Sequence, residues 1–249
     1  NGDGFPDIYL CNDFASPDRI WINDGAGNFR AIPHLAIRKQ SGSSMGVDFA
    51  DIDRDGFVDF FTTEMRARNH MRQMQDIPSI PPQLSFKRPI NERTDVLRNV
   101  LALNRGDSTF SEIAQYAGVP ASDWSWTPVF MDVDLDGYED LLVGNGMWFN
   151  VQDRDTLDRI RSLGKQTVEQ SRTNLALYPH YFSSNIAWHN RQDRTFEDMS
   201  AAWGFNAVAV SQGIACADLD SDGALDIVIN CLNAKPLVYR NRTGAPRLA

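Results

Sequence analysis

Apolar residues in this chain come in short runs, each bounded by polar or glycine-rich punctuation. Four runs follow a similar acidic segment: DIYL from Asp7, DFFTT from Asp59, DLLVG from Asp140 and DIVIN from Asp226. Three others, GVDFAD, TPVFMD and GIACAD, lead into one. Their brevity and their Val, Ile, Phe and Leu content predict β-strands rather than amphipathic helices. Each acidic segment therefore reads as the connection of a β-hairpin. Downstream, RIWINDGAGNFRAIP, NVLALNRGDSTFSEIA and NIAWHNRQDRTFEDMS repeat a second pattern. A strand runs into Asn23, Asn104 or Asn190, a polar turn follows, and Phe29, Phe110 or Phe196 opens the next strand. Asn241, in PLVYRNRTG, marks the same place again. Repetition of four-stranded units predicts an all-β chain built as a β-propeller, with about three and a half blades in residues 1–249.

The repeat is irregular. Successive acidic segments start at Asp51, Asp132 and Asp218, 81 and 86 residues apart. Two insertions account for this spacing. Residues 64–98 carry four prolines and many charges, and predict a long loop with a short helix. Residues 151–177 place Leu157, Ile160 and Leu163 at helical spacing before Gly164 breaks the run. Both leave their blade between its second and third strands, so both are expected on the same face. Loops this long often carry function.

The acidic segments themselves are nearly identical: DIDRDGFVD at 51–59, DVDLDGYED at 132–140 and DLDSDGALD at 218–226, with NGDGFPD opening the chain as a shortened copy. Carboxylates stand at positions 1, 3, 5 and 9 and Gly at position 6, which is the ligand pattern of a calcium loop. Crowded carboxylates repel by roughly 1 kcal/mol per pair in water-like surroundings and by several in less polar ones, unless a cation lies among them. The candidate ligands are Asp51, Asp53, Asp55 and Asp59; Asp132, Asp134, Asp136 and Asp140; and Asp218, Asp220, Asp222 and Asp226. Phe57, Tyr138 and Ala224, at the chemically variable position 7, would contribute a backbone carbonyl. One Ca²⁺ is expected per complete loop. The shortened copy offers Asn1, Asp3 and Asp7 at positions 3, 5 and 9, an incomplete set. An EF-hand is excluded, because position 12 holds Leu10, Thr62, Val143 or Ile229 instead of Glu and strands replace the flanking helices. The alternative is an ordinary Asp/Gly hairpin turn without metal; three copies in one register argue against it.

Charge fits this picture. The chain has 24 Lys and Arg against 33 Asp and Glu, a net charge of −9, and fourteen of those acids are aspartates at the ligand positions of the loops. The acidity thus reads as metal capacity. No basic stripe points to nucleic acid, and no apolar run is long enough for a membrane span. Cys11, Cys216 and Cys231 lack metal-ligand spacing and read as buried thiols, a bridge between Cys216 and Cys231 being disfavoured by their offset along the hairpin. None of His34, His70, His180 and His189 lies in a catalytic motif, and His189, within IAWHN, reads as a structural or surface residue of a strand. No phosphate-cradling loop is present, since GAGNF falls in a hairpin turn.

DxDxDGxxD followed by a strand resembles the FG-GAP/VCBS repeat of integrin-α-type β-propellers, and the likeness covers nearly all of the chain outside the insertions. NDFASPDRIWINDGAGNF and VYRNRTGAPRLA are further similar to propellers of proteins related to cartilage acidic protein, which continue into an ASPIC/UnbV domain. The resemblance implies one Ca²⁺ per repeat held by the Asp positions, about seven blades in a complete ring, and an extracellular or cell-surface location. It also implies that this chain is part of a longer protein, with the remaining blades and an ASPIC/UnbV domain as its neighbours. The expected function is a non-enzymatic calcium-stabilised module presenting loops to a protein or glycan ligand. The alternative is the propeller of a polysaccharide-degrading enzyme, a lyase or glycoside hydrolase, with the insertions forming a cleft; fold alone does not decide between them.

Overall fold

The computed structural model describes residues 2–13, 16–76 and 94–244. Asn1, and the part of the first insertion between 77 and 93, lie outside the described residues. The strands fall into four sequential antiparallel units. The first holds β1 (Ile8–Leu10), β2 (Arg19–Asn23) and β3 (Phe29–Ala31). A short strand β4 (Lys39–Ser41) leads to the second, made of β5 (Gly46–Ala50), β6 (Asp59–Thr63), β8 (Val100–Asn104) and β9 (Phe110–Glu112). Between β6 and β8 come helix α1 (His70–Gln75) and β7 (Thr94–Val96), which pairs in parallel with β4. The third unit has β10 (Ser125–Met131), β11 (Asp140–Asn145), β13 (Ile186–Asn190) and β14 (Phe196–Asp198). Its insertion carries α2 (Arg154–Ser162), α3 (Val168–Asn174) and β12 (Ser183–Ser184), the last paired with β15 (Val208–Ala209). The fourth unit is β16 (Ser211–Ala217), β17 (Asp226–Cys231) and β18 (Leu237–Tyr239).

These sheets are propeller blades of three, four, four and three strands, and no sheet among the described residues closes into a barrel. The first strands β5, β10 and β16 stand side by side. Glycine permits this approach, since a Cβ on Gly46 would fall on the Trp126 carbonyl oxygen; likewise β11 nears β16 at Gly144, where a Cβ would lie 3.1 Å from the Ser211 carbonyl oxygen. Phe130 N donates to Asp48 Oδ2 across the same seam at 2.7 Å.

The second strands β6 and β11 are buried on both faces, and their middle positions are accordingly apolar. Phe60 packs towards the first blade with Ile20, Ile37 and Val100, whereas its neighbour Phe61 packs towards the third with Leu101, Leu141 and Ile186. The alternation repeats one blade on. Leu141 faces the second blade, and Leu142 joins Met131, Ala187, Ile227 and Ile229 against the fourth. Full burial of each such side chain contributes about 2 kcal/mol; the core consists of three slabs between adjacent blades and a smaller cluster of Met65, Trp124 and Tyr181.

The insertions agree in part with expectation. α1 is the short helix of the first, and Gly164, with φ +76°, separates α2 from α3 in the second. The pairing of β7 with β4 was not legible, since three-residue strands leave no period to read. The second insertion also extends beyond 151–177, because Met147 and Tyr181 bridge at its base and β12 follows. The cysteines are free and half-buried rather than fully buried. Burial nevertheless pushes the Cys11 thiol up to about 12, followed by the effect of Asp18, and raises that of Cys216.

Candidate metal centres

Each complete acidic loop is wound by its own side chains. The position-1 carboxylate accepts from the backbone N–H groups of positions 5 and 6: Asp51 from Asp55 and Gly56 at 3.1 and 2.9 Å, Asp132 from Asp136 and Gly137 at 3.0 and 2.9 Å, Asp218 from Asp222 and Gly223 at 3.1 and 2.8 Å. The position-5 carboxylate accepts from position 7, as Asp55 does from Phe57 at 2.9 Å. Tyr138 and Ala224 repeat this bond to Asp136 and Asp222. Two residues must turn left-handed for this. Gly fills position 6, but position 4 also has positive φ, near +60° at Arg54, Leu135 and Ser221. A non-glycine residue there stores strain, which the carboxylate bonds offset.

Position 9 closes the loop onto the second hairpin. Asp59, Asp140 and Asp226 are buried at the start of their strands. One oxygen accepts from position 2, namely Ile52 (3.1 Å), Val133 (3.0 Å) and Leu219 (3.0 Å). The other accepts from the turn asparagine, Asn104 (2.8 Å), Asn190 (2.9 Å) and Asn241 (2.8 Å). In the shortened copy Asp7 Oδ1 accepts from Asn23 N at 2.9 Å, and Asp3 Oδ1 accepts from Phe5 N at 2.9 Å. The asparagines then reach between blades. Asn190 Nδ2 donates to Ile52 O at 2.8 Å, and Asn241 Nδ2 donates to Val133 O at 2.9 Å.

The result is three convergent carboxylate triplets, Asp51–Asp53–Asp59, Asp132–Asp134–Asp140 and Asp218–Asp220–Asp226, each with ligand atoms within 4.8 Å of one another. Positions 1, 3 and 9 make the triplets. Asp136 forms a further group with Asp134 and His189. Oxygen-only triplets suit a hard dication, and one atom tests the fit. Asp53 Oδ1 is buried without a hydrogen-bond partner, on a side chain only 8% exposed. An orphaned carboxylate oxygen at that depth is costly, and a cation among the triplet removes the cost. Burial, and then the like charges of Asp53 and Asp55, push the Asp59 carboxyl up to about 7 despite its two backbone donors. Burial likewise carries Asp140 up to about 6, with Asp134 adding to the rise.

The sequence reading missed the basic group at each position-3 carboxylate. Arg194 Nε, from the next blade, meets Asp53 Oδ2 at 2.7 Å. His189 Nδ1 lies 3.3 Å from Asp134 Oδ2 and 3.1 Å from Asp140 Oδ1. Arg240 pairs with Asp220. His189 and Arg240 both immediately precede the turn asparagine, so the repeat register held the signal; Leu103 occupies that place in the second blade. Position 7 also does more than expected. The rings of Phe5 and Phe57 lie over Gly25 and Gly106 of the second hairpin, where a Cβ would come within 2.6 Å of ring carbons.

At the opposite end of the blades the two insertions meet. Asp76 bridges to Asp153, and Asn150 Nδ2 donates to Asp76 Oδ1 at 2.8 Å. Beside them a groove of about 490 Å³ is lined by Arg68, Asn69, Arg72, Asp123, Ser183 and Ser184. Arg68 is fixed there by Asp123 and Asp198 at 3.1 and 3.3 Å, and Arg72 lies over the Tyr181 ring at 4.5 Å.

The FG-GAP-like repeat model matches residues 1–62 and 92–143. FG-GAP-like repeats are therefore found twice in the chain, the first match covering the shortened copy and the loop at 51–59, the second the loop at 132–140. The loop at 218–226 lies beyond the matched residues but has the same hydrogen bonds at positions 1, 5 and 9. No curated protein matches the chain. Among the described residues no helix is long and apolar enough to cross a membrane.

Proposed function

We propose that this chain is a calcium-stabilised, non-enzymatic propeller module of the integrin-α type, working outside the cell and presenting its insertions to a protein or glycan ligand. Ca²⁺ would bind one per complete loop, through positions 1, 3, 5 and 9 and the carbonyl of Phe57, Tyr138 or Ala224. Three carboxylates gathered at a hairpin tip gain most from a dication, and its binding couples directly to folding. Loops without the bidentate Glu of position 12 suit the abundant Ca²⁺ of extracellular fluid. The lead into an ASPIC/UnbV domain at VYRNRTG belongs to the same reading.

The observation that carries the reading is the division of labour between the two ends of the blades. Acidic loops occupy one end, and the contact of Asn150 with Asp76 joins the insertions at the other. A rigid metal-clamped scaffold with long loops opposite is an arrangement suited to recognition. Thermal unfolding with Ca²⁺ and with a chelator tests the metal part, and an unchanged midpoint overturns it. Glycan-array binding together with a turnover assay on polysaccharides tests the rest: binding without product supports a module, and product release identifies an enzyme.

A further inference from the structure

We propose that the loop at 132–140 is a mixed nitrogen–oxygen site that takes a first-row transition-metal dication, with His189 Nδ1 as a ligand beside Asp134 and Asp140. The inference rests on reading the three loops as cation sites; it replaces Ca²⁺ at this one loop and leaves it at the other two.

All three loops have a basic side chain at the position-3 carboxylate, but only one of these can bind a metal. Arg194 and Arg240 present guanidinium groups, which carry donors and no lone pair. An imidazole has a ring nitrogen that ligates Zn²⁺, Co²⁺ or Mn²⁺ readily and Ca²⁺ poorly. His189 stands on β13 one residue before Asn190, and the edge of its ring packs against Trp203 with centroids 5.9 Å apart. Its Nδ1 is thereby held 3.1 Å from Asp140 Oδ1 and 3.3 Å from Asp134 Oδ2.

These spacings, a hydrogen bond and an ion-pair contact in the metal-free chain, also match the edges of a coordination shell. A metal about 2.1 Å from each ligand separates neighbouring ligands by about 3.0 Å in an octahedron and about 3.4 Å in a tetrahedron. Asp136 belongs to the same group, its ligand atom within 4.8 Å of those of Asp134 and His189. Gln192 Nε2 steadies Asp136 through Oδ2 at 2.8 Å, and Asn190 N and Val133 N hold the two oxygens of Asp140. Such outer bonds orient ligands in established metal sites. The two other complete loops offer the metal oxygen alone.

The test uses the whole chain stripped of metal and loaded with one equivalent of Mn²⁺, read by pulsed electron paramagnetic resonance for ¹⁴N coupling. Calorimetric titrations with Mn²⁺ and Ca²⁺ run beside it. His189→Arg is the informative variant, because it reproduces the Arg240–Asp220 pair at this loop while removing the ligand; His189→Gln is the neutral control. Directly bound nitrogen in the parent chain, lost in both variants, is the expected result. Outer partners of metal ligands are worth about 10- to 100-fold in affinity, so Mn²⁺ binding should weaken at least tenfold. Bound Mn²⁺ without nitrogen coupling overturns the inference, as does coupling that persists in His189→Arg. Ca²⁺ binding with no Mn²⁺ binding overturns it while leaving the calcium reading intact. Nitrogen-coupled Mn²⁺ without Ca²⁺ binding at the other loops sustains it and removes the calcium reading. Binding of neither ion removes both.

Discussion

Asn190 of the third blade places its side-chain amide 2.8 Å from the carbonyl oxygen of Ile52, inside the acidic loop of the second. The same amide reaches Glu139 O in its own loop at 3.2 Å, and Asn241 repeats the cross-blade bond on Val133. The loops are thus linked to one another through side chains that touch no ligand position directly.

Replacing Asn190 by Ala should therefore weaken two loops together. The change leaves buried carbonyls without donors, at a cost of about 1–3 kcal/mol. Chemical denaturation should show a lower midpoint with an unchanged slope. Asn23→Ala is the comparison: Asn23 donates to Pro6 O at the surface and should cost much less.

Asp53→Asn should remove one cation site of three and leave the others. The substitution breaks the ion pair with the half-exposed Arg194 but also relieves repulsion among the triplet's carboxylates, so the metal-free protein should lose capacity while keeping its stability. Counting bound Ca²⁺ by calorimetry, parent against variant, checks it; an unchanged count refutes the assignment of Asp53.

Acidity should act oppositely on the metal-free and metal-loaded protein. Asp59 and Asp140 have carboxyl groups raised from an ordinary 3.8 to about 7 and about 6. Between the ordinary and the raised values the folded chain binds more protons than the unfolded one. Their contribution to stability is then fully present below about 4 and lost as pH rises to about 7. With saturating Ca²⁺ the ionised forms are the ones that bind, so stability should rise over the same window. Melting curves at pH 5 and 7.5, with chelator and with Ca²⁺, would show the crossing; parallel trends would count against it.

Gly46→Ala should separate the first two inner strands. Its Cβ would meet the Trp126 carbonyl and lie 2.8 Å from Pro128 Cδ. Backbone cannot yield cheaply, and the expected loss is about 1–3 kcal/mol, measurable as a fall in melting temperature. Gly27→Ala, where nothing lies within 4 Å of the added atom, should show only the smaller strain of its positive φ.

Much of the architecture was legible because the second strands write short apolar runs after each loop, and because the loops repeat their carboxylates in register. The triplets at positions 1, 3 and 9 follow from that spacing. The basic partners were hidden for a physical reason: Arg194 meets Asp53 from 141 residues away, a separation no local pattern reports. His189 looked like an ordinary strand residue because its neighbours Trp188 and Asn190 are buried. Only its alignment with Arg240, one place before the turn asparagine, could have drawn attention to it. The left-handed residues at position 4 were equally silent, since Arg, Leu and Ser carry no mark of positive φ.

The asparagine bond between blades has one further consequence. The third and fourth repeats each bear a plug, the amide before the second turn, which enters a socket on the preceding repeat, the carbonyl at position 2 of its loop. Plug and socket lie on opposite flanks, so these units join head to tail through two matching joints. A gene encoding such a protein can gain or lose a whole repeat by duplication or deletion without redesigning a single joint.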